Sequence, residues 1–215
     1  MKILFQGDSI TDAFRKPEEL NPAFQLGNGY AFLVAALLGA NYPERDWEFV
    51  NRGVSGHGVS DLAARWQVDA LDHAPDLFSL LIGVNDTIQA MHGTSKVKDA
   101  DFIQIYAGLV DAVLERKPAT QVLLLEPFLV EVGEVTPQWK AHLAVRQQAI
   151  TRFAQERGFS LVPLQSILDA ACDRAPVDYW AYDGIHPTHA GFSLLADAWL
   201  KAAGSILGIP TKELL

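Results

Sequence analysis

The sequence predicts an α/β protein in which a five-stranded parallel sheet lies between two layers of helices. Short apolar runs bounded by turn formers or charged residues are typical of buried strands, and five of them occur, at residues 3–5, 47–50, 77–82, 122–125 and 159–162. Longer segments with helical spacing alternate with these runs, at residues 30–38, 62–71, 102–114, 139–153 and 192–206. Because right-handed crossovers bring each helix back over the sheet, this alternation predicts a three-layer α/β/α sandwich.

Each apolar run ends at residues that favour a turn. In chain order, the residues that follow the five runs are Gly7-Asp8, Asn51-Arg52-Gly53, Gly83, Glu126-Pro127 and Pro163. The helical segments carry apolar residues three and four positions apart, which predicts one face packed on the sheet. The longest irregular connection is predicted at residues 126–137.

The composition predicts one compact domain over residues 1–215. The chain has 215 residues, of which 49% are hydrophobic and 20% charged, and chains of this length usually keep a single core. No repeat, low-complexity tract or shift of composition divides it. Fibrous, disordered and repeat architectures are therefore excluded.

The charge and the cysteine content narrow the function classes further. Seventeen Lys and Arg against 26 Asp and Glu give a formal net charge of −9, which disfavours binding to nucleic acid or to anionic membrane surfaces. No apolar run reaches the ~18 residues of a membrane span, and residues 1–6 are too short for a signal peptide. The single cysteine, Cys172, is expected to be a packed thiol. These features predict a soluble cytoplasmic protein that acts on a small molecule.

In open parallel sheets, ligands bind beyond the carboxyl ends of the strands, and Ser9 follows the first run there. A serine behind a strand and a glycine can lie at a helix entrance, where its own N–H is free to donate. The structural alternative is that Ser9 only caps that helix. Either use is compatible with the local sequence.

Two further segments at the same end of the sheet could supply hydrogen-bond donors. Residues 51–58 contain three glycines, which allow close approach of the backbone to a bound group. They match neither a dinucleotide fingerprint nor a phosphate-binding loop, and an ordinary flexible turn is the alternative. Asn85, after the third run, could present its amide to an oxyanion or serve only as a turn residue.

The segment Asp183-Gly184-Ile185-His186-Pro187 precedes the last helical segment. A carboxylate three positions before an imidazole can receive the Nδ1 proton, which leaves Nε2 to act as a base. With Ser9 and Asn85, this pair completes the set that acyl transfer requires: a nucleophile, oxyanion donors and an oriented base.

Four segments together resemble the four blocks of the SGNH (GDSL) hydrolase superfamily, in the same order and with fitting spacing. They are Gly7-Asp8-Ser9-Ile10-Thr11, the glycine of Asn51-Arg52-Gly53, Gly83-Val84-Asn85-Asp86 and Asp183-Gly184-Ile185-His186-Pro187. The resemblance implies a flavodoxin-like three-layer fold and a serine esterase. It implies that Ser9 is the nucleophile, that Asp183 and His186 are the acid and base, and that Ser9, Gly53 and Asn85 form the oxyanion hole.

Residues 61–69, the stretch 75–86 and residues 126–131 resemble the intracellular acetylxylan-esterase branch of that superfamily. The branch implies deacetylation of acetylated sugars or xylo-oligosaccharides. A short-chain thioesterase or a lysophospholipase with the same residues is the alternative enzyme. A carbohydrate- or flavin-binding module is the non-enzyme alternative, although such a binder has no reason to pair Asp183 and His186 with Ser9.

Three side chains are candidates for contact with substrate. Trp180 and Tyr182 directly precede Asp183 and could stack on a sugar ring, and His57 lies in the glycine-rich segment. Core packing is the alternative use of both aromatic residues.

The expected chemistry needs neither a metal nor an organic cofactor. His186 and His189 lie three residues apart without a nearby cluster of further ligands, so no metal site is predicted. The apolar residues 206–210 could dock on their own domain or on a neighbour, so a homo-oligomer is a hypothesis.

Overall fold

A fully parallel five-stranded sheet forms the centre of the molecule in the computed structural model, which describes residues 1–210 apart from the side chain of Ala23. The strands are β1 (Lys2–Gly7), β2 (Glu48–Asn51), β3 (Leu77–Leu81), β4 (Gln121–Leu125) and β5 (Ser160–Val162). Their order across the sheet is β2-β1-β3-β4-β5. The chain therefore moves from β1 to one side and then returns to build the other side.

The point at which the strand order reverses lies beside β1. In open α/β sheets, the crevice at such a point, beyond the carboxyl ends of the strands, is the usual ligand site. Gly7, the last residue of β1, pairs with Leu81, the last residue of β3. The segments that follow these two strands are thus brought to the same edge of the sheet.

Helices cover both faces of the sheet. They are α1 (Ser9–Asp12), α2 (Pro22–Gln25), α3 (Tyr30–Asn41), α4 (Val59–Asp69), α5 (Val84–Met91), α6 (Asp99–Arg116), α7 (Pro137–Arg157), α8 (Leu164–Cys172), α9 (Val177–Trp180) and α10 (His189–Leu207). Short 3₁₀ turns occur at Pro43–Arg45 and Leu71–His73. The three-layer α/β/α sandwich predicted from the sequence is confirmed.

Alternate strand residues face the two sides of the sheet and build two cores. Phe5 packs with Tyr30 of α3 and Trp199 of α10 on one side. On the other side, Phe78 packs with Trp66 of α4. A period of two along each strand accounts for this division.

Among the helices of eight or more residues in the described part of the chain, periodicity did not predict α5 and α8. They are eight and nine residues long, shorter than the 11–18 residues over which a helical repeat can be recognised. The connection over residues 126–136 is irregular, as predicted.

The apolar segment 206–210 packs on its own chain. Leu207 and Ile209 are buried within the α3/α10 core, and the Arg45 guanidinium donates to the carbonyl oxygens of Leu207 and Gly208. Within residues 1–210, no helix combines the length and the apolar character needed to cross a bilayer.

Candidate active site

Ser9 is the first residue of α1, immediately after β1 and the residue Asp8. The Asp8 side chain caps this helix, because its Oδ1 accepts a hydrogen bond from the Ile10 N–H at 3.0 Å. The Ser9 hydroxyl is not the cap; its Oγ lies 2.8 Å from His186 Nε2. Within residues 1–210, the Ser9 N–H has no hydrogen-bond partner, so both polar groups of Ser9 are available to a ligand.

Asp183 orients the imidazole of His186. Its Oδ2 lies 2.7 Å from His186 Nδ1, and its Oδ1 accepts from the backbone N–H groups of His186 at 2.7 Å and Ile185 at 3.0 Å. Burial raises the pKa of the Asp183 carboxyl, but these hydrogen bonds outweigh burial and hold its pKa below the ordinary value. With the Nδ1 proton donated to a carboxylate, Nε2 presents its lone pair to Ser9.

The loop that carries Asp183 and His186 is held by a backbone hydrogen bond across it and by packing against the 126–136 connection. Tyr182 N–H donates to the carbonyl oxygen of His186 at 3.2 Å. Gly184 has a positive φ of 88°, and a Cβ there would lie 2.6 Å from the Val130 carbonyl oxygen. Only glycine fits this approach to the 126–136 connection, and the packing holds Asp183 in place.

Asn85 is the second residue of α5 and faces the same pocket as Ser9 and His186. Its Nδ2 donates one hydrogen to the His57 carbonyl oxygen at 3.0 Å. A side-chain amide has two N–H donors, so the second is available to a ligand oxygen.

The structure separates the roles of two glycines in the 51–58 segment. The Gly53 N–H donates to Asn51 Oδ1 at 2.9 Å, and a Cβ at Gly53 would lie 2.4 Å from the Asp12 backbone nitrogen. Gly53 therefore packs against α1 and does not line the pocket. Its N–H is already engaged by Asn51, so the expectation that it is an open oxyanion donor is wrong. Gly56 lines the pocket, has φ +80°, and within residues 1–210 its N–H has no hydrogen-bond partner.

Arg65 of α4 ties this loop to the end of β1. Its guanidinium donates to the carbonyl oxygens of Arg52 at 2.8 Å and Gly7 at 3.3 Å, and to His57 Nδ1 at 3.1 Å. It also forms an ion pair with Asp69 at 2.5 Å. Burial and the Arg65 charge lower the pKa of His57, which agrees with a neutral ring that accepts at Nδ1.

Two buried carboxyl groups lie behind the site. Burial is the main reason that the pKa of Asp8 is raised to about 7; the hydrogen bond from the Ile10 N–H acts to lower it, and the nearby Asp86 acts to raise it. Asp8 Oδ2 is buried and has no hydrogen-bond partner among the described residues. Burial also raises the pKa of Asp86, whose carboxylate accepts from the Val59 N–H. Asp8 thus keeps its proton at pH values below about 7, where an exposed aspartate has already lost it.

These groups surround a cavity of about 340 Å³ with a predominantly apolar lining. The lining residues are Ser9, Ala13, Phe14, Ser55, Gly56, Asn85, Tyr182, His186, Pro187 and Phe192. Tyr182 is the one predicted substrate contact that lines the cavity, and its ring stacks on His186 with centroids 6.0 Å apart.

The other two predicted substrate contacts lie outside the lining. His57 lies behind Asn85 and contacts Arg65, and Trp180 is buried in the core beside Tyr179. The core-packing alternative is therefore correct for Trp180. The sequence predictions missed Phe14, Gly56 and Phe192; of these, Gly56 carried a signal, as one of the three glycines in its segment.

Comparison with known proteins places the geometry among esterases. The model of the GDSL-like lipase/acylhydrolase family matches residues 5–194. An acetylxylan esterase of Geobacillus stearothermophilus is 35% identical over 206 residues, which cover 94% of each chain.

Solved structures agree with this match. The crystal structure of the Geobacillus acetylxylan esterase superimposes with a TM-score of 0.83, at 34% identity over 94% of each chain. An alpha/beta hydrolase enzyme from the metagenome of Lake Arreo, Spain, superimposes with a TM-score of 0.85, at 33% identity over 94% of each chain. Serine-to-alanine and histidine-to-alanine forms of the Geobacillus esterase are described as catalytic mutants.

Proposed function

Because this chain belongs to the GDSL-like lipase/acylhydrolase family and is a carboxylic ester hydrolase, we propose that it removes acetyl groups from acetylated xylo-oligosaccharides, with Ser9 as its nucleophile. The observation that carries the proposal is the hydrogen-bonded chain from Ser9 Oγ to His186 Nε2 at 2.8 Å and from His186 Nδ1 to Asp183 Oδ2 at 2.7 Å.

In the first half of the reaction, His186 Nε2 takes the hydroxyl proton as Ser9 Oγ attacks the ester carbonyl carbon. The Asp183 carboxylate stabilises the imidazolium that forms and keeps the ring in place. Its lowered pKa keeps Asp183 ionised at neutral pH. His186 then gives its proton to the leaving alcohol oxygen as the carbon–oxygen bond breaks, which leaves an acetylated Ser9.

Negative charge develops on the carbonyl oxygen during the attack. The Ser9 N–H, the Gly56 N–H and the second N–H of the Asn85 amide are the donors that can stabilise it. Two of these groups lack a partner within residues 1–210, and the third has a hydrogen to spare. Gly56 takes the place that the sequence resemblance gave to Gly53. Each such donor contributes roughly 3–4 kcal/mol to transition-state stabilisation.

The second half uses the same residues in reverse. His186 removes a proton from a water molecule, which attacks the acetyl carbonyl carbon of the acyl-enzyme. Collapse of the intermediate returns the proton to Ser9 Oγ and releases acetate. None of these steps requires a metal or an organic cofactor.

The pocket supports a small acyl group on a neutral alcohol. Its volume of about 340 Å³ lies at the small end of the range for ligand pockets, about 300–1,000 Å³. Among the described residues, its lining contains no Lys, Arg, Asp or Glu, so no permanently charged side chain of residues 1–210 lines the cavity to recognise a phosphate. The acetylxylan esterase relative supports a sugar as this neutral alcohol, and hence an acetylated sugar as the substrate.

An ester panel tests the proposal. Acetylated xylo-oligosaccharides, p-nitrophenyl esters of increasing chain length, an acyl thioester and a lysophospholipid are compared by kcat/KM. We expect acetate release from the xylo-oligosaccharides and a fall in kcat/KM as the p-nitrophenyl acyl chain lengthens.

Preference for the thioester or the lysophospholipid would overturn the substrate assignment and favour the alternative acylhydrolase. Absence of turnover on every ester, by a folded protein, would overturn the enzyme assignment in favour of a binding module.

A further inference from the structure

We propose that Phe14 is a specificity-determining residue: with Tyr182 it forms an aromatic clamp that holds the sugar ring of the alcohol part of the substrate. This inference rests on the proposed function and adds a residue to it. Neither the four sequence blocks nor the predicted substrate contacts include Phe14. It lines the catalytic cavity together with Ser9 and Tyr182.

The backbone at Phe14 has an unusual conformation. Phe14 has φ +61° and follows Ala13, which has φ +42°. Two consecutive residues with side chains in the left-handed region are rare, and such conformations persist where the surrounding structure imposes them. Strain of this kind concentrates at ligand sites.

The neighbouring contacts hold the turn in this conformation. The Ala13 N–H donates to the Ser9 carbonyl oxygen at 2.9 Å, and the Ala13 carbonyl oxygen accepts from the Asn28 N–H at 2.8 Å. A Cβ at Gly29 would lie 2.6 Å from the Ala13 side chain. The turn is thus fixed on both sides, and it is covalently continuous with the helix that carries Ser9.

The fixed turn presents the Phe14 ring to solvent rather than to the core. Phe14 is 85% exposed, and Tyr182 is 59% exposed. An exposed phenyl ring forced out by a strained turn gives no packing benefit to the free protein. When a ligand covers the ring, burial of its apolar surface offsets the free energy that the strained turn and the exposed ring cost.

Tyr182 places the second ring beside the catalytic base, with centroids 6.0 Å apart. Its plane is inclined by only 19° to the His186 imidazole, and Tyr182 is 59% exposed, so aromatic surface beside the catalytic base is open to the alcohol part of a substrate. The acyl carbonyl must lie at Ser9, Gly56 and Asn85, and the alcohol part then extends toward the exposed aromatic side chains.

The chemistry of the clamp selects a neutral ring. Aromatic faces bind the C–H surface of a sugar through dispersion and burial, without charge recognition. In the part of the chain that the structure describes, the cavity lining has no permanently charged side chain. A pyranose ring carrying an acetyl group fits both features, whereas the charges of a lysophospholipid head group meet no charged side chain among the described lining residues.

The test compares two acetate esters that differ in the alcohol. An acetylated methyl xyloside offers a ring to the clamp, and ethyl acetate does not. Phe14→Ala should lower kcat/KM for the xyloside about three- to tenfold more than for ethyl acetate, chiefly through KM. Phe14→Tyr, which keeps a ring, should retain most of the selectivity.

Two further variants separate this role from a structural one. Phe14→Gly should lose selectivity as Phe14→Ala does, yet unfold at a higher temperature than Phe14→Ala, since glycine tolerates φ +61°. Leu20→Ala is the control, because Leu20 is 96% exposed and outside the pocket lining. It should leave both substrates unaffected.

Equal losses on both esters, or an unchanged ratio in Phe14→Ala, would overturn the clamp. A change of oligomeric mass in Phe14→Ala would also overturn it and assign Phe14 to a contact between copies. Wild-type protein that hydrolyses ethyl acetate but no acetylated xyloside would instead contradict the proposed function itself.

Discussion

Asp8 Oδ1 accepts a hydrogen bond from the backbone N–H of Ile10 at 3.0 Å. This contact gives the capping role at the start of α1 to Asp8, and leaves Ser9 free to pair with His186. The carboxyl is fully buried, and no group of residues 1–210 forms a hydrogen bond with its second oxygen. The residue that frees the nucleophile is therefore also a buried ionisable group.

The first prediction concerns the pH dependence of stability. Burial raises the pKa of Asp8 from 3.8 to about 7 in the folded protein. Between these values the folded state keeps a proton that the unfolded state has lost, so the stability due to this group falls as pH rises. From pH 5 to pH 8, the free energy of unfolding of wild type should fall by about 2.5 kcal/mol relative to Asp8→Asn.

Urea unfolding of wild type and Asp8→Asn across this range measures the difference. Since the variant cannot ionise at position 8, it serves as the reference at each pH. Parallel curves for the two proteins would contradict a raised pKa at Asp8.

The second prediction concerns the amide of Asn85. Asn85→Ala removes a hydrogen-bond donor that acts on the transition state, so kcat should fall by about 10²–10³ with little change in KM. Gln89→Ala, on the same helix but outside the pocket, is the matched control and should keep wild-type kinetics. A rise in KM with unchanged kcat would instead assign Asn85 to ground-state binding.

The third prediction concerns the packing of the backbone around Gly53. A Cβ at Gly53 would lie 2.4 Å from the Asp12 nitrogen, a backbone atom that cannot move away easily. Gly53→Ala should therefore lower the free energy of unfolding by about 1–3 kcal/mol. Gly108→Ala, in α6 with open space around the added methyl group, should raise it by about 0.5–1 kcal/mol. Thermal unfolding of both variants shows whether their effects have opposite signs.

The fourth prediction concerns the Arg65 guanidinium. Arg65→Lys keeps the charge but loses the fork that holds the carbonyl oxygens of Arg52 and Gly7. The segment with Gly56 should then shift, and kcat should fall about tenfold with a smaller change in KM. Arg157→Lys, at a surface ion pair with Asp111, controls for the loss of any guanidinium. Wild-type kinetics in Arg65→Lys would show that the contacts do not position the loop.

The sequence was sufficient to predict the sheet and the side chains that follow its strands. The five apolar runs correspond to the five strands, because a buried parallel strand is a continuous apolar segment. Ser9, Asn85, Asp183 and His186 were found because each follows a strand or precedes a helix at the expected edge of the sheet.

Other features depend on three-dimensional contacts that no local pattern encodes. Gly53 and Gly56 are three residues apart in one glycine-rich segment, and only the Asn51 side chain decides which N–H is engaged. Trp180 and Tyr182 are similar in sequence context, yet one is 8% exposed and the other 59%. The left-handed turn at Ala13 and Phe14 is held at Ala13 by Asn28 and Gly29, which pack against it from a later segment.

The central claim is that Ser9 forms an acetyl-enzyme during hydrolysis of an acetylated xylo-oligosaccharide. Rapid acid quench of wild type during turnover, followed by peptide mass spectrometry, tests it directly, with Ser9→Ala as the control. We expect one acetyl group on the peptide that contains Ser9, and acetate release at least about 10⁴-fold slower in the variant. Undiminished acetate release by folded Ser9→Ala, or acetylation at another residue in its place, would contradict the account.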